Sequence, residues 1–130
     1  MLTHTIHGKT GESTLLVGES LENLSQHILS DRPAGRMVII TDTTVRKLYG
    51  DVFPDCPVIE IGEGEAVKNL ETVSSIYKRL IDLEADRSTF IVGIGGGIVC
   101  DITGFVASTY LRGVRFGFVA STLLAQVDAS

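Results

Sequence analysis

Three glycines in a row, Gly95-Gly96-Gly97, follow the apolar run Thr89–Ile94 and lead into an apolar, helix-forming stretch. Glycines let a backbone come close to a diphosphate, and the N–H groups that open a helix attract negative charge. The same residues also suit a tight turn that needs glycine only for its backbone angles and close packing. Neither standard phosphate motif is present. Gly93 and Gly95 are followed by Ile98 where G-x-G-x-x-G requires its third glycine, and no Gly-Lys-Ser/Thr follows. Asp101, expected on the first turn of the helix, is either a carboxylate favoured by the helix dipole or an acceptor for ribose or substrate hydroxyls. Asp42, at the end of another apolar run, is either a helix cap or Asx-turn residue or a second such acceptor. Glu65 and Lys68 form either a solvated i,i+3 pair or a ribose and phosphate grip. Lys68 stands near a helix amino terminus, where a cation is electrostatically misplaced, and that favours an anion nearby.

Other reactive side chains carry less. His4, His7 and His27 have no carboxylate or cysteine at ligand spacing, so no metal site is read. Cys56 and Cys100 fit no metal or redox spacing, and a reducing cytoplasm is the default expectation. Tyr110, Arg112 and Arg115 are read as surface groups, with anion steering as their alternative. A net charge of −5 without any basic run argues against nucleic acid. No apolar stretch approaches the ~18 residues of a membrane span, and the first residues lack a signal-peptide pattern.

The elements that must position these residues alternate in type. Ser13–Gly18 reads as a strand pairing with Thr3–His7 across Gly8–Gly11, and Ser20–Leu29 as a helix capped by Ser20. Strands follow at Arg36–Thr41, Val58–Ile61, Thr89–Ile94 and Phe116–Val119. Between them the spacing predicts helices at Thr43–Tyr49 (closed by Gly50), Asn69–Leu83 and Ile98–Leu111, with a last one beginning at Ser121–Val127. Continuous apolar strands alternating with amphipathic helices point to an α/β fold. The expected form is a single-domain, Rossmann-like, doubly wound, mostly parallel sheet with helices on both faces. A mean hydropathy of +0.28 suits a sheet buried on both sides, or a surface that packs on something else. Ligands of such sheets bind outside the carboxyl ends of the strands, where Asp42, Glu63–Lys68, Gly95–Asp101 and Ser121-Thr122 all fall.

From Gly95 to Asp128 the pattern becomes specific. Gly-Gly-Gly, two apolar residues, an aspartate at 101, Gly104-Phe105, Tyr110-x-Arg112-Gly113 and Leu123-Leu124-Ala125-Gln126-Val127-Asp128 resemble the 3-dehydroquinate synthase family almost end to end. Gly64-Glu65-x-x-Lys68-Asn69 and Thr41-Asp42 match upstream, so the resemblance covers essentially the whole chain.

The resemblance implies a shikimate-pathway lyase. Such enzymes convert 3-deoxy-D-arabino-heptulosonate 7-phosphate to 3-dehydroquinate and phosphate, with recycled NAD and a divalent metal, zinc or cobalt. By position, Asp42, Glu65, Lys68, Gly96, Gly97, Asp101, Ser121, Thr122 and Leu124 would contact NAD, and Asp128 would face substrate. A homodimer through this domain is implied too. The sequence departs from the pattern at Cys100 (usually glycine), Ala120 (proline) and Ser121 (threonine). It also stops at Ser130, where the family continues with Gly-Gly-Lys and a helical domain carrying the metal-binding glutamate and histidines. The expectation is therefore a cofactor-binding half with no catalytic or metal-ligating residue, inactive alone. The alternatives are the cofactor domain of a related sugar-phosphate cyclase or polyol dehydrogenase, or a non-catalytic nucleotide-binding module.

Overall fold

The computed structural model describes residues 2–29 and 36–120. Strands β3 (Met37–Asp42), β4 (Val58–Ile61), β5 (Phe90–Gly95) and β6 (Phe116–Ala120) form one sheet in the order β4-β3-β5-β6, every pair parallel. A separate antiparallel hairpin joins β1 (Leu2–His7) to β2 (Glu12–Val17). Its turn is closed where the Gly8 N–H donates to the Gly11 carbonyl at 2.7 Å. Helices α1 (Leu24–Leu29), α2 (Thr43–Tyr49), α3 (Leu70–Asp82) and α4 (Gly97–Thr109) complete the described elements.

The two central strands are apolar up to their carboxyl ends, where β3 closes with Thr41 and Asp42, because both of their faces are covered. Alternate residues of β3 and β5 enter two distinct cores. Val38, Ile40 and Ile91 pack with Val73, Ile76 and Leu80 of α3 and with Val99, Ile102 and Val106 of α4. Met37, Ile39, Val92 and Ile94 pack instead with Val45 of α2 and Leu24 and Ile28 of α1. The strand period of two thus sorts one sequence between two helical layers, which is the expected doubly wound arrangement.

Element ends follow local chemistry. Asn69 opens α3, its Oδ1 accepting from the Thr72 N–H at 2.9 Å. The Ser20 hydroxyl accepts from the Glu22 N–H as expected of a cap, but the residues it opens, Leu21–Asn23, are a 3-10 turn ahead of α1. Gly50 does not close α2 in a left-handed conformation. Its φ is −56°, and a 3-10 turn runs on through Val52. Leu70, expected on the buried face of α3, is 76% exposed, because it sits on the first turn, beyond the part that faces the sheet. Helix α4 starts one residue earlier than expected and stops at Thr109, where Leu111 and Arg112 adopt positive φ. The helix expected at 121–127 lies outside the described residues.

Arg36 ties the amino ends of the strands together. Its guanidinium donates to the carbonyls of Leu83, at 3.0 Å, and Glu84, just past α3, while its own carbonyl accepts from the Phe90 N–H at 2.7 Å.

Candidate functional site

Chain reversal sets the place of the site. From β3 the chain moves outward to β4, whereas from β5 it moves the other way to β6. The loops after β3 and β5 therefore part, leaving a crevice at their carboxyl ends, the position where open α/β sheets take ligands. Its floor is fixed by Thr41, a fully buried residue whose hydroxyl donates to the Ile94 carbonyl at 2.7 Å. Thr41 went unassigned in the sequence beyond its place beside Asp42. Its signal was a hydroxyl inside an otherwise apolar strand.

The glycine turn divides by role. A Cβ on Gly93 would lie 2.5 Å from the Thr103 Oγ1, and one on Gly95 would lie 2.8 Å from a Val99 methyl carbon, with Gly95 at φ +159°. Those two glycines exist so that β5 and α4 can touch. Gly97 differs: a Cβ there would meet nothing within 4 Å. Gly96 precedes the first turn of α4 and gives it no side-chain cap. That leaves an uncrowded helix amino end pointing along the carboxyl edge of the sheet, the geometry that receives an anion.

Lys68 and Asp101, 33 residues apart, meet beside that end, with Lys68 Nζ 2.7 Å from Asp101 Oδ2. Asp101 is the fifth residue of α4, and the first turn carries no acidic residue. With the helix opening at Gly97, it lies one residue deeper than a start at Ile98 would put it, just past the first turn, and Lys68 answers its charge. Glu65 lies in the 3-10 turn Glu65–Val67, entered through Gly64 at φ +82°, and its carbonyl accepts from the Lys68 N–H at 3.0 Å. Its side chain is on the exposed surface of the same loop. Asp42 performs the capping role: its Oδ1 accepts from the Val45 N–H at 2.7 Å and opens α2 at the crevice rim. Nearby, the Thr44 hydroxyl is hydrogen bonded to Glu63, joining the first turn of α2 to the loop after β4. Ser121, Thr122, Leu124 and Asp128 lie outside the described residues.

Cys100 packs as a small hydrophobe. It is fully buried, and burial, with the Asp101 charge adding to it, pushes its thiol up to about 11, so it stays protonated at neutral pH. A shallow groove beside it is lined by Asp101, Gly104, Phe105, Phe116 and Phe118. A second concavity of about 480 Å³ opens at the opposite, amino end of the strands, among Arg36, Met37, Cys56, Leu83 and Thr89. It lies away from the polar residues just described. Among the described residues no three His, Cys, Asp or Glu side chains converge as a metal site, and no helix is long and apolar enough to cross a membrane.

Known proteins are similar to this chain in sequence and fold. A 3-dehydroquinate synthase of Ruminiclostridium cellulolyticum is 36% identical over 141 aligned positions, covering 100% of this chain and 38% of that protein. One of Pelotomaculum thermopropionicum is 43% identical over 119 positions, covering 85% of the chain and 32% of the relative. The chain thus spans well under half the length of these relatives. Among solved structures, 2-deoxy-scyllo-inosose synthase complexed with carbaglucose-6-phosphate, NAD+ and Co2+ superposes with a TM-score of 0.80 at 28% identity, over 98% of this chain and 37% of that one. The model of the family 3-dehydroquinate synthase N-terminal matches residues 58–130, the half that holds the glycine turn, Lys68 and Asp101, and the chain belongs to that family.

Proposed function

We propose that this chain forms the NAD-binding wall of a 3-dehydroquinate synthase, a lyase that turns 3-deoxy-D-arabino-heptulosonate 7-phosphate into 3-dehydroquinate and phosphate. The observation that carries the reading is the uncrowded amino end of α4 at Gly96-Gly97, set beside Lys68 and Asp101 at the switch of strand direction. The residues present fit a dinucleotide. Helix N–H groups at Gly97 and beyond would face the diphosphate, Asp101 and Glu65 offer acceptors for ribose hydroxyls, and Lys68 supplies a cation. Asp42 holds the crevice rim through its cap on α2, and Ser121, Thr122, Leu124 and Asp128 complete the assignment from sequence. Bound NAD would accept a hydride from a substrate carbinol and return it. The described residues offer no ligand set for a divalent metal, so no metal-borne step is assigned to them.

The inosose synthase supports a second reading, a related sugar-phosphate cyclase with the same cofactor domain. Identities of 36% and 43% to dehydroquinate synthases, against 28% to that cyclase, favour the first. Self-association through this domain belongs to the same proposal. Leu2, Ile6, Leu15 and Val17 share one face of the hairpin and are each about half exposed, an apolar stripe suited to a partner. Sedimentation at high micromolar concentration should show a dimer, and monomer alone would remove this part of the proposal.

Calorimetric titration tests the cofactor assignment. The isolated chain should bind NAD at high micromolar to millimolar affinity, about −4 to −6 kcal/mol, as one wall of a cleft would. Gly97→Val should fold, since its side chain enters open space, yet lose NAD. Unchanged binding in that variant would show that the glycine turn does not hold the cofactor.

A further inference from the structure

We infer that Asp101 holds Lys68 in reserve, so that the two form a charge latch which an arriving dinucleotide opens; this rests on the cofactor reading above. Gly97 and Asp101 are four residues apart on α4 and so share one face, and helical side chains lean towards the amino end. The Asp101 carboxylate therefore lies over the turn that opens the helix, the place where a diphosphate would settle. Left alone, that carboxylate would repel the anion. It is not alone, because the Lys68 ammonium sits 2.7 Å away, at the spacing of a charge-assisted hydrogen bond.

Both side chains are close to half exposed, 44% and 45%, so water screens the pair and opening it costs little. Lys68 also immediately precedes Asn69, the cap of α3, where the dipole of that helix disfavours a cation. Asp101 compensates for this in the unliganded chain, and a diphosphate at Gly96-Gly97 would do so as well. When it arrives, the ammonium swings from Oδ2 to a phosphate oxygen, and the released carboxylate accepts from ribose hydroxyls. One movement supplies a cation to the phosphates and an acceptor to the sugar. A ligand with phosphates but no hydroxyls gains only the first.

Inorganic pyrophosphate and NAD, titrated at low salt into the chain and into Lys68→Met, Asp101→Asn and the double variant, separate the two halves. Pyrophosphate should bind Asp101→Asn about threefold to fivefold more tightly than the unaltered chain, the scale of an exposed ion pair. That gain should shrink below about 1.5-fold once Lys68 is Met, because no cation is left to release. NAD should bind Asp101→Asn more weakly, through loss of the ribose acceptor. An equal pyrophosphate gain with and without Lys68 would mean that simple charge removal is at work and would overturn the latch. No gain at all would mean that Asp101 does not restrain Lys68. If NAD still binds the unaltered chain and is lost in Gly97→Val, either result removes the latch alone. If neither NAD nor pyrophosphate binds the unaltered chain, the cofactor reading fails and the latch with it.

Discussion

Glycine has two separate duties within five residues of this chain, and the distinction can be measured. Gly93 and Gly95 are required by contact, since their Cα atoms lie against Thr103 and Val99 of α4. Both neighbours are β-branched, stiff at χ1 and buried, so they cannot swing aside cheaply. Gly93→Ala should lower stability by about 1–3 kcal/mol through overpacking, read as a fall in Tm. It should leave the affinity of the remaining folded protein for NAD near that of the parent, the reverse of Gly97→Val. An unchanged Tm would mean that α4 can shift away from β5 and that the packing is looser than described. The sequence alone left this turn open between packing and phosphate binding, because spacing does not show which Cβ position is crowded. It placed Lys68 and Asp101 on the same edge, and the oddity of a lysine at a helix start was the legible sign. Their direct contact was not legible, because it depends on how α4 packs against the loop after β4. Thr41 escaped for a similar reason: a hydroxyl in an apolar strand reads as strand until its acceptor on β5 is known.

At the scale of elements, alternation and caps carried most of the reading. Helix α2 and strand β4 have the expected boundaries, helix α1 starts four residues later than the expected Ser20 because a 3-10 turn precedes it, and the others shift by a residue or two at their ends. The larger departures lie at helix ends. Tyr110–Arg112 continue α4 only as a 3-10 turn, and the apolar period that suggested a longer helix comes from Tyr110 packing into the core. The Tyr110 hydroxyl also donates to the Ala85 carbonyl at 2.7 Å, so that side chain is held from outside its own helix. Helix α3 is better specified, with a side-chain cap at Asn69 and the buried series Val73, Ile76 and Leu80. Asn69→Ala should therefore cost about 1 kcal/mol, measured by urea unfolding with an unchanged m-value. Because Asn69 follows Lys68 directly, a loosened start to α3 should also weaken pyrophosphate binding. A stability loss under about 0.3 kcal/mol would show that tertiary packing, not the cap, fixes where α3 begins.

For the molecule as a whole, the proposed reading makes the chain a cofactor wall and assigns its described residues little else that the reaction requires. Phosphate release from 3-deoxy-D-arabino-heptulosonate 7-phosphate, assayed on these 130 residues with saturating NAD and zinc, should stay at background. Catalytic zinc takes about three protein ligands, and the leaving phosphate needs cations to hold it. Metal-dependent release by this chain would overturn the reading of it as a cofactor wall without catalytic machinery. The Arg36 clasp bears on a different property, the way stability is distributed over the fold. It joins the starts of β3 and β5 to the end of α3 across 47 residues of sequence, at the edge of the sheet opposite the crevice. Backbone groups held there open only when three elements separate, so their amides should exchange with solvent as one slow cooperative unit. At the crevice edge the joins are made by pairs of exposed side chains, Thr44 with Glu63 and Lys68 with Asp101. That edge should exchange faster and in smaller steps, while the opposite edge keeps the sheet in register.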